Sequence, residues 1–131
     1  SNYGMRLAIE GVPFGLISNT DSFLRLAESI DSDSLGFNLD TGHIFFQKED
    51  ISVAIHKLEA RVFGTHVCDN DGCEDSHWIP GEGKIDWAAA LKSLQDVGYE
   101  GSLDIEINIA EDPDKSYLKG KRFLERVHNE L

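Results

Sequence analysis

Four times in 131 residues a short apolar run with two-residue alternation gives way to a stretch of helical periodicity, at a spacing of about 30 residues. That cycle is the tightest constraint on the fold. A strand, a crossover helix and a second strand running the same way make a parallel βα unit. The runs RLAIE (Arg6 to Glu10), LGFNLD (Leu35 to Asp40), VFGTHV (Val62 to Val67) and SLDIEI (Ser102 to Ile107) predict the strands. NTDSFLRLAESI predicts a helix with Asn19 or Thr20 as its cap, and EDISVAIHKLEARV predicts a second with Ile51, Ala54, Ile55 and Leu58 on one face. Asp86 caps WAAALKSLQDVGY, which stops at Gly98, and Asp112-Pro113 opens a last helix running to Leu131. The expected class is α/β with parallel strands, in a single domain over residues 1–131 without a linker.

Composition narrows the function. With 40% hydrophobic and 27% charged residues the chain has material for a core and is neither disordered nor fibrous. No apolar run approaches the roughly 18 residues of a membrane span and no signal-peptide pattern opens the chain, so no membrane partner is expected and the default compartment is cytoplasmic. A start at Ser1, with Met5 the single methionine, fits a processed chain or an excerpt of a longer one. Cys68 and Cys73 form no CxxC pair and are expected as thiols, Cys68 packing beside its strand. The 24 acids against 12 Lys and Arg give a net charge of -12, which repels phosphate backbones, so no nucleic-acid partner is expected. The basic run Lys119-Gly120-Lys121-Arg122 reads as the solvated face of the terminal helix.

Side chains alternate along a strand, so each run has two faces. One set, Leu7 and Ile9; Leu35, Phe37 and Leu39; Phe63, Thr65 and Val67; Leu103, Ile105 and Ile107, is expected beneath the helices. The opposite set ends, strand by strand, in Glu10, Asp40, His66 and Glu106. In parallel α/β folds the C-terminal strand ends carry the site. Any one of these residues is as readily a helix cap or a solvated loop residue, whereas four in step point to a shared cation. Three carboxylates and one imidazole suit Mn2+ or Mg2+, with Co2+ or Zn2+ also accommodated, and the lack of thiolate argues against a structural zinc. His56 and His128 read as surface residues. Trp78 and Trp87 read as packing residues, with Trp78 alternatively covering a pocket.

The segments LAIE (Glu10), NLDTGH (Asp40, His43), GTHVCDND (His66), PGEGKIDW (Pro80 to Trp87) and GYEGSLDIE (Glu106) resemble, in order and spacing, the xylose isomerase-like superfamily of sugar phosphate isomerases and epimerases, over nearly the whole chain. DTGH alone is a weak signal; the five in series are a strong one. The resemblance implies a (β/α)4 half of a TIM barrel, its fifth to eighth strands. It implies one divalent metal on Glu10, Asp40, His66 and Glu106, His43 against a substrate oxygen, and Glu10 and Glu106 as acid and base on opposite sides of a sugar or sugar phosphate. The reaction it implies is isomerisation or epimerisation through an enediolate. The alternative is a non-catalytic or truncated half-barrel that keeps the ligands.

Asp75-Ser76-His77 departs from the arginine-bearing loop of some ketose epimerases. Such a D-x-H pair resembles the endonuclease IV branch, where it holds a further zinc at abasic DNA, and it also occurs in sugar-isomerase-like members. The acidic balance favours the sugar over DNA, and Asp75 and His77 are carried as a second metal site or substrate loop, or as solvated loop residues. Four parallel strands leave two bare edges. Closure by a second copy or by an N-terminal half-barrel is therefore expected, and in a two-fold closure Arg6 would meet Asp104 across the seam.

Overall fold

A computed structural model describes residues 4–108 and 111–131. The elements follow in the order β1 (Leu7–Glu10), α1 (Thr20–Ile30), β2 (Leu35–Asp40), α2 (Thr41–Phe46), α3 (Ile51–Leu58), a 3-10 turn (Glu59–Arg61), β3 (Val62–Val67), α4 (Trp87–Asp96), β4 (Asp104–Ile105) and α5 (Pro113–Asn129). The strands form one all-parallel sheet in sequential order, β1-β2-β3-β4, as a (β/α)4 half-barrel requires.

Local chemistry sets each helix start. Asn19 and Ser22 form a capping box on α1, the side chain of Asn19 accepting from the Ser22 N–H at 2.9 Å while Ser22 Oγ accepts from the Asn19 N–H. Asp50, Asp86 and Asp112 cap α3, α4 and α5 in the same manner, each accepting from the N–H three residues on. The second expected helix is shorter than its periodicity predicts: α3 stops at Leu58 because Glu59 turns to φ 48 and the chain tightens into the 3-10 turn. The helix α2 has no counterpart in the sequence reading. Six residues, one of them Gly, are too few to show a period, and what starts it is Asp40.

The core lies between the sheet and its helices. Phe23, Phe37, Leu39, Ile55, Leu58 and Val67 are fully or almost fully buried, with the Phe23 and Phe37 rings 5.0 Å apart. Two expectations about strand faces fail. Leu7 is 61% exposed, because β1 is an edge strand and α1 packs over β2 rather than over the start of β1. Phe63 is not beneath the helices; Val62 is. A bulge between Phe37 and Asn38 pairs Phe37 with Val62 but Asn38 with Gly64, which reverses the parity at the head of β3. Phe63 therefore lies on the inner face, where the missing side chain of Gly36 makes room for its ring and the Arg6 guanidinium stacks on it at 3.4 Å. β4 is shorter than SLDIEI predicts, since it has a single neighbour, but Glu106 continues the pairing through its N–H to Val67 O at 3.2 Å.

Candidate metal centre

Past the bulge, the parity of β2 and β3 returns to the expected one and directs Asp40 and His66 to the inner face. The register pairs Asp40 with His66 and His66 with Asp104, so the ends of three strands lie level. Glu10 ends β1 and Glu106 follows β4. One ligand atom from each of Glu10, Asp40, His66 and Glu106 lies within 4.8 Å of the others, a set able to coordinate a divalent metal.

The electrostatics fit a cation. His66 Nδ1 is 2.9 Å from Glu10 Oε1 and 2.5 Å from Glu106 Oε2. A single N–H cannot satisfy two carboxylates, and the carboxylates repel each other. Burial works against a charge on His66, yet its hydrogen bond to Glu10 and the charges of Glu10, Glu106 and Asp40 outweigh it, so the imidazole is held above its ordinary pKa. Asp40 is buried. Its Oδ1 accepts the His43 N–H at 2.8 Å, capping α2, while its Oδ2 is buried with no hydrogen-bond partner among the described residues. Burial raises its carboxyl pKa against the pull of nearby His43. An ionised oxygen in that position is costly unless a positive charge meets it. Asp40 thus has both functions that the sequence left as alternatives, cap and cluster member.

A second group adjoins the first. His43 Nδ1 is 3.1 Å from Gly11 O, and its Nε2 is 3.3 Å from both Asp75 Oδ2 and His77 Nε2. Asp75 Oδ1 is buried without a hydrogen-bond partner among the described residues, 3.6 Å from His77 Nε2. His43, Asp75 and His77 also offer ligand atoms within 4.8 Å of one another. His43 Nδ1 stands 3.8 Å from Glu10 Oε1 and 3.9 Å from Asp40 Oδ2, so His43 bridges the two groups. Cys68 lies beneath, its thiol 3.6 Å from Asp40 Oδ1 and its pKa pushed up by burial and the Asp40 charge, and with Asp40 and His77 it offers ligand atoms within 4.8 Å of one another.

The loop that carries Asp75 and His77 is held from below by residues the sequence reading did not single out as structural. Asp69 is fully buried and accepts from the N–H groups of Asn70 (3.0 Å), Gly81 (2.9 Å) and Ile85 (3.2 Å) and from Trp87 Nε1 (2.8 Å). Asn70, also buried, donates to Gly42 O at 3.0 Å and ties the loop to α2. A signal was present: Asp69 continues the buried series Thr65, Val67 one step beyond the strand. Trp87 packs as expected, and Trp78, 38% exposed, pairs its backbone with Asp69 in an isolated bridge.

A parallel sheet that gathers three carboxylates and an imidazole at its C-terminal strand ends is the metal-binding half of a TIM barrel in class. A family model described as xylose isomerase-like TIM barrel matches residues 1–127, and the chain belongs to that family. It is 30% identical to an uncharacterized protein of Methanocaldococcus jannaschii over 99% of this chain and 46% of that one. It is also 30% identical to fructoselysine 3-epimerase of Escherichia coli O157:H7, over 81% of this chain and 40% of the enzyme. The crystal structure of a D-tagatose 3-epimerase-like protein superposes with a TM-score of 0.84 at 27% identity, covering 98% of this chain and 48% of that one. The chain spans about half the length of the relatives it matches. No described helix is long and apolar enough to cross a membrane.

Proposed function

We propose that residues 1–131 form one folding unit, the C-terminal half of a divalent-metal-dependent sugar or sugar phosphate isomerase or epimerase. The observation that carries this reading is the convergence of Glu10, Asp40, His66 and Glu106 within 4.8 Å. The epimerase names among the relatives support the choice of substrate class. Glu10, Asp40, His66 and Glu106 would hold the metal, Mn2+ or Mg2+ by the oxygen-rich donor set. When bound, such a cation supplies Lewis acidity that polarises a ketose carbonyl and acidifies the neighbouring C–H.

The chain's own groups then carry the proton. One of Glu10 and Glu106 takes the proton from carbon, leaving an enediolate, and the other returns a proton from the opposite side, which inverts that carbon. With its Nδ1–H given to Gly11 O, His43 would meet a substrate oxygen through Nε2, as a donor to the developing oxyanion only in its imidazolium form. The test is calorimetric titration with Mn2+, with Glu106→Gln as control, followed by solvent deuterium uptake into a panel of ketoses. Tight Mn2+ binding with no exchange into any sugar, even once the barrel is closed, would favour the non-catalytic half-barrel instead.

The second group supports a second reading of the loop. Asp75, His77 and His43 would hold a further cation beside the first, Asp75 Oδ1 being the buried oxygen that lacks a partner. A titration that saturates at two ions, falling to one in His77→Ala, supports it; saturation at one ion in both leaves Asp75 and His77 as substrate-loop residues. With two ions held, cleavage of an abasic duplex tests the endonuclease IV-like branch, against which the net charge of -12 stands. Closure by a second copy or an N-terminal half-barrel is part of the proposal, and sedimentation as a clean monomer at micromolar concentration counts against self-closure.

A further inference from the structure

Away from the strand ends, a cavity of about 820 Å³ runs between the turn Pro80 to Glu82 and the helix α5. Its helical wall carries Lys115, Lys119, Arg122 and Arg126, and its apolar floor carries Leu118 and Phe123. The four cations follow the spacing 4-3-4, which puts them on one helix face over about 16 Å of axis. They are four of the twelve Lys and Arg in a chain with 24 acids. Lys119 is paired with Glu82 and Lys115 with Asp112, but neither Arg122 nor Arg126 pairs with a carboxylate among the described residues. Two neighbouring guanidiniums without carboxylates, in so acidic a chain, are placed for an anion that comes from outside.

The groove is built into the fold. Gly81 has φ 92, and a Cβ there would meet the Phe123 ring at 2.6 Å, so the turn is seated directly on α5. Buried Gly120 brings the helix up to Pro80 and Ile79, leaving room for a Cβ only at 3.2 and 3.4 Å. A second cleft, lined by Leu103, Tyr117, Leu118 and Lys121 among others, follows the bare β4 edge and adjoins the groove at Leu118. None of the four cations of the groove lines that second cleft.

We propose that this groove binds an organic polyphosphate of the nucleotide class. Planar guanidiniums bond phosphate oxygens in bidentate fashion, which matches Arg122 and Arg126 to a phosphate pair. Lys119 joins them by leaving Glu82, and the flat body of the ligand lies against Leu118, beside the Phe123 ring that Gly81 abuts and the Arg126 guanidinium covers at 5.4 Å. The volume is in the range of small-molecule sites. A long nucleic acid is disfavoured by the charge of the remaining surface.

The probe is ATP, titrated calorimetrically into the full chain at low ionic strength with chelator present, beside inorganic tripolyphosphate and a poly-glutamate peptide. One saturable ATP site is expected, weakened about tenfold or more in Arg122→Ala/Arg126→Ala, whose side chains are exposed and outside the strand-end cluster. Glu82→Gln, which frees Lys119, is expected to tighten it. Tripolyphosphate is expected to bind more weakly than ATP, since it has no body to cover the floor. No saturable ATP binding, equal affinity in the double variant, equal affinity for tripolyphosphate, or tighter binding of poly-glutamate would each overturn the proposal.

Discussion

Asp40→Asn separates the two functions of that residue. The amide oxygen keeps the cap on α2, where Asn and Asp are equivalent to within a few tenths of a kcal/mol. What changes is Oδ2, a buried oxygen without a partner. Replacing it removes a desolvated charge and puts an N–H donor toward the Glu10 and Glu106 carboxylates, whose oxygens lie within 4.8 Å of the Asp40 ligand atom. The relief is about 1–3 kcal/mol. For 131 residues the unfolding entropy makes each kcal/mol worth about 3–4 °C, so the metal-free variant should melt about 3–12 °C above the parent. With Mn2+ at about 100 times its Kd the parent gains about 2.7 kcal/mol, whereas the variant, short of one anionic ligand, gains little. The assay is thermal unfolding of both proteins with chelator and with Mn2+. A mere cap predicts no difference in either condition. A variant that is less stable without metal, or that keeps the full Mn2+ shift, would refute the reasoning.

Asp69→Ala leaves the Gly81 and Ile85 N–H groups and Trp87 Nε1 without their acceptor, at about 1–3 kcal/mol each, so a loss of at least about 3 kcal/mol in urea unfolding is expected; a change below 1 kcal/mol would show that the loop is held elsewhere. The pH dependence of the metal-free protein follows from His66, whose folded pKa is above its ordinary 6.5. Its stabilisation is complete below about pH 6.5 and is lost as pH rises through the folded value. The raised Asp40 carboxyl has the same sign, since the folded state holds that proton more tightly and gains stability as pH falls through its pKa. With chelator, the melting temperature should therefore drop as pH climbs above about 6.5, and Mn2+ should reverse the slope because it competes with those protons. A flat or rising melting temperature without metal would count against this account of the cluster.

The sequence was most legible where period and parity speak together. The αβ order, the caps Asp86 and Asp112 and the inward set Asp40, His66 follow from alternation and cap chemistry alone. What failed has local causes. The bulge opposite Asn38 swaps Val62 and Phe63 without a trace in the apolar pattern, since both residues are apolar. Leu7 was placed under a helix by parity, yet parity does not tell which strand lies at the edge. The helix α2 is too short to show a period, and the structural work of Asp69 is hidden among the acids and imidazoles of residues 66–77, which look alike in a string. The grouping of His43 with Asp75 and His77 depends on the fold of that loop, where His77 takes φ 45, and spacing could not reveal it.

The geometry of the cluster says how the sheet is shaped. β1 and β4 are separated by three strand spacings, about 14 Å in a flat sheet. Glu10 and Glu106 nonetheless bring their oxygens within 4.8 Å of each other. Curling of the sheet and side-chain reach must close that gap together, and the sequence distributes the reach accordingly: the edge strands carry the longer glutamates, the central strands the shorter Asp40 and His66. The four strands of this chain thus bring four candidate ligands to one point between them. Metal binding and turnover should then separate. Mn2+ affinity measured on the chain alone should equal that measured after closure by a second copy or an N-terminal half, while deuterium uptake into a ketose should require closure, because the bare edges leave the mouth of the half-barrel open to water. Affinity for Mn2+ that appears only on closure would mean that the curvature is imposed by the missing half and not by these four strands.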